Sequence, residues 1–513
     1  MAQKLPIGIQ TFSKIREDDY VYVDKTGFAL DLIENGAYYF LARPRRFGKS
    51  LFVSTLQALF EVRKELFQGL AAYERWDWSR KHPVIKLSFS GVARTTTEMR
   101  QDIRNLFCEN QERLDVVCKD AEDIGGCFRE LIRRTCEQHG QRVVVLVDEY
   151  DKLILDNLDQ QEIALEAREI LKDLYTTIKD CDEFIEFAFL TGVSKFAKVS
   201  IFSGLNNLND ISLHEEYAAI CGYTEKDLAD VFQQHLKDAD MDRVREWYNG
   251  YNFLGAEAVY NPFDILLFIN NNLKFSNYWF ATGTPTFLIR LIRQRNYFIP
   301  QLKNLKMNDA MLDSFDIEHL RLESILFQSG YVTIQEVREL EFGGHEYLLR
   351  IPNKEIALSL HDAIIASFTD TTQYTPIKSA LYTALKEADF TLFEKTLVSL
   401  FAAIPYNNYV NNTISEYEGY FAAVLYAYLA GLGIDLRAED VTNRGRIDLT
   451  ILLENNIYIL EFKVDGDREA AVRQIRTKGY HQKYLQEQKS IYLVGISFSS
   501  SARNLNSFAW EQV

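Results

Sequence analysis

No stretch of this sequence is apolar for long enough to cross a bilayer. The most apolar short run, Ile265-Leu266-Leu267-Phe268-Ile269, falls far below the roughly 20 residues that a spanning helix needs. The first residues, Met1-Ala2-Gln3-Lys4-Leu5-Pro6, carry no apolar leader, so a soluble cytoplasmic chain with no membrane partner is expected. The six cysteines, Cys108, Cys118, Cys127, Cys136, Cys181 and Cys221, form no CxxC pair, and none stands at zinc-ligand spacing to a histidine. Six reduced, packed thiols are expected. The eight histidines are scattered, with no two at metal-ligand spacing. There is no excess of basic residues: 57 Lys+Arg face 73 Asp+Glu, a net charge of -16. That balance disfavours a simple nucleic-acid coat protein but leaves room for a local basic groove. A GxSxG elbow and internal repeats are also missing, which disfavours an ester hydrolase and a solenoid.

Apolar residues are abundant, at 47 % of 513 positions, so several cores can be buried. At roughly 100–200 residues per domain, three or four domains are expected. Over the first 200 residues, apolar runs alternate with amphipathic stretches. Tyr38–Leu41, Val84–Phe89, Val143–Val147 and Phe184–Leu190 read as strands. Helical patterns cover Leu51–Phe60, about Thr97–His139 with a break near Gly125-Gly126, and about Gln161–Ile178. Alternating strands and helices predict a parallel α/β sheet covered on both faces. From about Cys221 the pattern turns helical. A helix ending near Phe327-Gln328-Ser329-Gly330, then alternation at Tyr331–Ile334, a Gly343-Gly344 turn and Tyr347–Ile351, predicts a winged-helix-like element. The last ~110 residues read helix, strand, strand, helix, strand.

The first chemical signal is Arg43-Pro44-Arg45-Arg46-Phe47-Gly48-Lys49-Ser50, between a strand and a helix. Its second half is an intact phosphate-loop ending; Arg43 stands where the standard GxxxxGK[ST] pattern has its first glycine. Phosphate must approach the backbone closely at Gly48, Lys49 reaches the β- and γ-phosphates, and Ser50 ligates Mg²⁺. The run Val143–Val147 then ends in Asp148-Glu149. Asp148 would hold Mg²⁺ and Glu149 would orient or deprotonate the attacking water. Thr191 or Ser194, after the fourth strand, is a candidate γ-phosphate sensor, a plain turn being the alternative. The arginines Arg43, Arg45 and Arg46 either stabilise transition-state charge or only pair with acids. The candidate nucleotide contacts are therefore Arg43, Arg46, Phe47, Gly48, Lys49, Ser50, Leu51, Asp148 and Thr191.

Leu5-Pro6-Ile7-Gly8, Tyr22-Val23-Asp24-Lys25-Thr26 and the Arg43–Ser50 loop resemble the AAA-ATPase-like family of prokaryotic proteins, itself similar to archaeal and STAND-type ATPases. Val147–Asp151, Trp247–Tyr251, Val259–Pro262 and Ile351–Glu355 match it in order. The family commonly carries this RPRRFGKS form of the loop. The resemblance covers nearly the whole chain and implies ATP as ligand and Mg²⁺ as cofactor.

The second signal lies near the C-terminus. Asp448 precedes the apolar run Leu449–Leu453, and Ile457–Leu460 leads into Glu461-Phe462-Lys463. Period-two alternation puts Glu461 and Lys463 on one strand face. If the two strands pair as a hairpin, Asp448 meets Glu461. Two carboxylates there would ligate Mg²⁺, and Lys463 would position or activate a water against a phosphodiester. The pattern resembles the PD-(D/E)XK nuclease superfamily, with Ile447 in place of the named proline. That resemblance makes Glu418, on the preceding helix, a further metal ligand and matches Gln474 and Tyr480 to the helix that follows. Arg473 and Arg476 share a helix face and could contact phosphates, so Arg473, Gln474, Arg476 and Tyr480 are the candidate nucleic-acid contacts.

The expected architecture is α/β: a P-loop ATPase core at 1–215, a helical lid and winged-helix-like region at 216–351, a helical linker at 352–403, and a restriction-endonuclease-like α/β domain at 404–513. The expected function is ATP hydrolysis that gates Mg²⁺-dependent cleavage of DNA, with RNA as an alternative substrate and self-association left open. Two other classes fit the same residues. One is a STAND-like nucleotide switch whose nuclease-like domain only docks a partner. The other is a remodeller that moves nucleic acid without cutting it.

Overall fold

The computed structural model describes residues 3–195, 207–280, 288–289, 291–292, 302, 305–313, 317, 321–368, 371–404, 418–466 and 469–513, with backbone alone at 313, 367–368, 371–374 and 418–420. The chain divides into two compact units. The first joins Met1–Thr282 with Leu305–Asn353; the second joins Gly283–Asn304 with Lys354–Val513. Among the described residues no helix is long and apolar enough to cross a membrane.

The first unit is built on a five-stranded sheet of β1 (Tyr38–Ala42), β2 (Val84–Ser88), β3 (Val143–Asp148), β4 (Ile185–Gly192) and β5 (Asn209–Asp210). The order is β2-β3-β4-β1-β5, and every pair is parallel. Strand β4 therefore lies between β1, which feeds the phosphate loop, and β3, which ends in the acids. All six residues of β3 are buried, as a strand covered on both faces requires. Helix α1 (Lys49–Phe60) leaves the loop after β1. Helices α2 (Thr96–Leu114), α3 (Ile124–His139) and α4 (Gln161–Asp180) complete the layers. Thr95 and Glu98 start α2 with reciprocal hydrogen bonds, a capping box.

The break in the long helical region falls at residues 115–123, earlier than the glycines suggest. Asp115 ends α2 in a left-handed conformation, and the Asp123 carboxylate caps α3 by accepting from Gly126 N. Gly125 and Gly126 thus lie within the first turn of α3, because a capping acid two or three residues upstream outweighs their weak propensity. The cysteines also need correction: Cys118 and Cys127 are joined, while Cys108, Cys136, Cys181 and Cys221 are free. The turn from α2 to α3 brings the pair's Cα atoms to 5.2 Å, a proximity that sequence spacing does not reveal.

The same unit holds a three-stranded antiparallel sheet of β6 (Leu305–Asn308), β7 (Thr333–Glu339) and β8 (His345–Arg350), in the order β6-β8-β7. Helix α5 (Leu322–Gln328) precedes the β7–β8 hairpin. The helix-then-hairpin pattern was legible; β6, only four residues long, was not.

In the second unit, α6 (Lys354–Phe368), α7 (Thr371–Glu387), α8 (Phe390–Ala402) and α9 (Glu418–Ala430) precede a sheet of β9 (Asp435–Thr442), β10 (Gly445–Leu452), β11 (Asn456–Val464), β12 (Ser490–Ser499) and β13 (Asn504–Gln512). The order is β13-β12-β11-β10-β9, with β11 and β12 parallel and the other pairs antiparallel. One face packs against α8 and α9: Phe421 stacks on Phe498 at 4.2 Å and meets Phe401 edge-on at 5.4 Å. Burying each such ring contributes about 1.5–3 kcal/mol. On the other side Ile457, Ile459 and Leu493 pack with Ile475 of α10 (Ala470–Lys478) and with Tyr480 and Tyr484 of the turn that follows. Gly495 lets α10 come close, since a Cβ there would sit 2.9 Å from Ala471 Cβ. Sequence reading found three of these five strands; β9 and β13 mix polar and apolar residues and were not among them.

Candidate functional site

The phosphate loop is shaped by two left-handed residues, Arg46 at φ +69° and Gly48 at φ +96°. Phe47, between them, is buried against Tyr251 and Phe253 at ring distances of 4.8 and 5.8 Å, so it anchors the loop. Gly48 caps α1, and the N–H groups of Lys49, Ser50 and Leu51 open the helix without intrahelical acceptors. Such a turn suits an anion, both by its free donors and by the helix dipole. Lys49 is 6 % exposed and donates to the carbonyls of Arg43 at 2.9 Å and Pro44 at 3.0 Å. Burial lowers its pKa, and the Asp148 carboxylate is the main opposing charge.

Asp148 ends β3, buried at 5 %, and Glu149 follows in a left-handed conformation with its N–H on Asp148 Oδ1 at 3.0 Å. Burial raises the Glu149 pKa, Asp148 raises it further, and Lys49 opposes both. A lysine, two carboxylates and a row of free N–H groups thus meet at one end of β1 and β3. That donor and acceptor set fits a polyphosphate with a divalent cation.

Two residues of the expected contact set direct their side chains to other parts of the chain. Arg43 is 1 % exposed, and its guanidinium donates to the carbonyls of Ala42, Ser212 and Tyr217 and lies 3.9 Å over the Phe253 ring. Burial pulls its pKa down to about 10. It is a strut between the loop and the segment after β5, which is why a large residue stands where other phosphate loops have glycine. The Thr191 hydroxyl donates to Leu41 O at 2.8 Å and ties β4 to β1. The Ser194 hydroxyl donates to Asp151. Arg46 is exposed, 4.7 Å over the Phe263 ring.

In the second unit, Leu449 pairs with Leu460, which sets Asp448 beside Glu461 one step along the ladder. Asp448 Oδ2 accepts from Phe462 N at 2.8 Å. Glu461 is 2 % exposed, and its Oε1 accepts from the Gln474 amide on α10 and lies 3.7 Å from Lys463 Nζ. Tyr480 is buried, and its pKa is raised by burial, by Glu461 and by Asp448. Gly445, at φ +151°, makes room for it: a Cβ there would lie 2.7 Å from the Tyr480 hydroxyl. Two carboxylates, a lysine, an amide and a phenol therefore converge. The carboxylate pair with a neighbouring lysine suits a hard divalent cation and a water. The Glu418 side chain lies outside the described residues. Arg476 is paired with Glu511, and Arg473 lies 3.3 Å from Glu469, so both arginines of α10 face acids.

Residues 6–202 match the family model described as Predicted AAA-ATPase, and residues 416–508 match the PD-(D/E)XK nuclease superfamily. A protein of Azotobacter chroococcum mcd 1, described as "Uncharacterized protein in vnfD 5'region", is 48 % identical over 516 residues, which span 100 % of this chain and 99 % of its own. The chain belongs to the AAA-ATPase-like family with a C-terminal PD-(D/E)XK nuclease-superfamily domain. A solved structure of the Aeropyrum pernix ORC1 protein in complex with DNA aligns over 69 % of this chain and 96 % of its own, at 12 % identity and a TM-score of 0.28, a likeness too slight to carry an argument.

Two buried acids of this AAA-ATPase-like chain escaped sequence reasoning. Asp151, 1 % exposed, accepts from Val193 N, Ser194 N and the Ser194 hydroxyl, and so clamps the exit of β4 beside the exit of β3. Asp440 in the nuclease-superfamily domain accepts from Thr450, Lys483 and Tyr484. The Asp-Glu-Tyr-Asp spacing hinted at Asp151; nothing local marked Asp440.

Proposed function

We propose that the first unit binds and hydrolyses ATP with Mg²⁺ and that the second cleaves a nucleic-acid phosphodiester with a divalent metal. The observation that carries this reading is the convergence of Asp448, Glu461, Lys463, Gln474 and Tyr480 around one strand pair, in a chain whose phosphate loop faces Asp148 and Glu149. In the first unit the N–H groups of Lys49 to Leu51 hold phosphate oxygens, and Lys49 turns from the loop carbonyls to the β- and γ-phosphates. Ser50 and Asp148 hold Mg²⁺, which supplies charge neutralisation. Glu149, its pKa raised, takes the proton of the attacking water.

In the second unit Asp448 and Glu461 hold the metal, with Glu418 as a third ligand; the metal supplies Lewis acidity. Phe462 N–H and the Gln474 amide fix the two carboxylates, and Lys463 orients the water. Arg473 and Arg476 contact the substrate, DNA first and RNA as the alternative, while the buried Tyr480 supports Glu461 from behind. The first unit carries 54 acidic and 38 basic residues, the second 19 of each. Nucleic acid is therefore repelled by the first unit, and its contacts belong to the second.

One observation favours a second reading, a nucleotide switch whose nuclease-superfamily domain docks a protein partner. Arg446, Arg476 and Lys483 are each paired with an acid of the same domain, Glu439, Glu511 and Asp440. Purified protein is incubated with plasmid, linear and single-stranded DNA and with RNA, in Mg²⁺ or Mn²⁺, with and without ATP, beside Asp448→Ala and Lys49→Ala. Cleavage lost in Asp448→Ala supports the nuclease, and the Lys49→Ala lane reads whether ATP gates it. ATP hydrolysis with no cleavage of any substrate transfers the conclusion to the switch.

A further inference from the structure

The last turn of α5 rests on the phosphate loop. Gly330 follows it at φ +89°, and a Cβ there would lie 2.7 Å from the Cβ of Pro44. Gln328 is 5 % exposed, and its Oε1 accepts from Lys195 N at 3.0 Å, just beyond β4. Arg43, Pro44, Phe327 and Gln328 share the walls of a cavity of about 20 Å³, room for one water.

Two buried donors in these walls find no acceptor among the described residues: Nε2 of Gln328 and Nε of Arg43. Buried donors are rarely left so, and each such group calls for an explanation. Acceptors belong to the same lining residues. The carbonyls of Arg43 and Pro44 are held by Lys49 Nζ. A lysine that turns to a phosphate strands both carbonyls, beside a cavity wall that carries two unused donors.

We propose that Gln328 is a positioning residue of the nucleotide site, whose amide N–H₂ takes over a carbonyl of Arg43 or Pro44 when Lys49 moves to the phosphates. The inference rests on the ATP reading above and adds to it a role for the α5–hairpin module. The exchange keeps the loop satisfied in both conditions, so Gln328 lowers the cost of nucleotide binding. It acts on the loop and touches no reacting atom, so it alters affinity more than turnover.

Gln328→Glu keeps an acceptor for Lys195 N and the same size but removes the donor and adds a charge, so the neutral Gln328→Met is read beside it. Gln328→Met removes both functions. The measurements are the Kd of a non-hydrolysable ATP analogue, kcat and KM for ATP, and the melting temperature without nucleotide. The expected result is affinity weakened about fivefold or more in Gln328→Glu, the worth of roughly one hydrogen bond, with kcat little changed. Its melting temperature without nucleotide is little changed, since Lys195 N keeps its acceptor. Gln328→Met weakens affinity similarly and melts lower.

Wild-type affinity in Gln328→Glu overturns the proposal, as does an affinity loss that appears only in the variant that melts lower. A wild-type protein that binds no analogue overturns the ATP reading itself and this inference with it. That result is distinguishable from a wild-type protein that binds while Gln328→Glu binds equally well.

Discussion

Asp151 offers a quantitative check on how the acidic end of β3 is held. Its carboxylate accepts from Val193 N at 3.1 Å and Ser194 N at 2.6 Å, and from the Ser194 hydroxyl. Asp151→Ala leaves all three donors without that acceptor in a site closed to solvent. Each buried donor left unsatisfied costs about 1–3 kcal/mol. The hydroxyl can rotate to another acceptor; the two backbone N–H groups cannot, so the expected loss is about 2–6 kcal/mol. Ser194→Ala, which removes only the hydroxyl, is expected to cost about 1 kcal/mol. The assay is amide hydrogen exchange of β3 and β4 across a denaturant series, which reads the opening of this sheet separately from the second unit. A change below about 0.5 kcal/mol in Asp151→Ala, the range of an ordinary surface substitution, refutes the reasoning. The pH dependence gives a second reading. Burial holds the Asp151 carboxyl above its usual value, partly offset by its hydrogen bonds to Ser194 and Val193. A raised folded-state value means that the contribution is present below the usual carboxylate range and is lost as pH rises through the raised value. Asp151→Asn is expected to flatten that slope.

Three other outcomes are expected. The kcat of ATP hydrolysis rises with pH through the raised Glu149 value, because the base must be deprotonated; Lys152→Ala removes a charge that lowers it and moves the limb to higher pH, read from the pH profile. Gly445→Ala places a methyl on the Tyr480 hydroxyl at a left-handed residue. It destabilises the nuclease-superfamily domain by about 1–3 kcal/mol and reduces cleavage, measured by chemical denaturation and plasmid nicking. Glu511→Ala releases Arg476 from its ion pair, so nucleic acid binds more tightly and the slope of log affinity against log salt steepens by about one; filter binding across a salt series reads it.

Much of both candidate sites was legible without a structure, because their residues lie close together in the chain. A loop that presents N–H groups to an anion must follow a strand and open a helix, and Gly48-Lys49-Ser50 lies between the two. Asp148 and Glu149 sit at the end of a wholly apolar strand, where a buried parallel strand meets the rim of its sheet. Glu461 and Lys463 alternate along β11 as period two requires. What the sequence left open has an equally physical origin. Arg43 and Thr191 look like phosphate contacts because polar residues beside a phosphate loop have two uses, binding the ligand or bridging segments of chain. Which use applies depended on Ser212, Tyr217 and Leu41, all distant from their partners in sequence. Likewise β9 and β13 are edge strands of mixed polarity, and only their pairing with β10 and β12 defines them.

The sequence by itself determined the order of the strands and helices around the phosphate loop, the acids at the strand end, and the D…ExK carboxylates. Covalent spacing and backbone periodicity place those groups whatever the rest of the chain does. Only the tertiary structure decided that β4 lies between β1 and β3, that Asp448 stands beside Glu461 with Gln474 across it, that Asp151 clamps the β4 exit, and that the last turn of α5 rests on Pro44. Each of these joins residues far apart in the chain. Such contacts are fixed by which surfaces bury one another and which buried donors find acceptors, and a linear pattern carries neither.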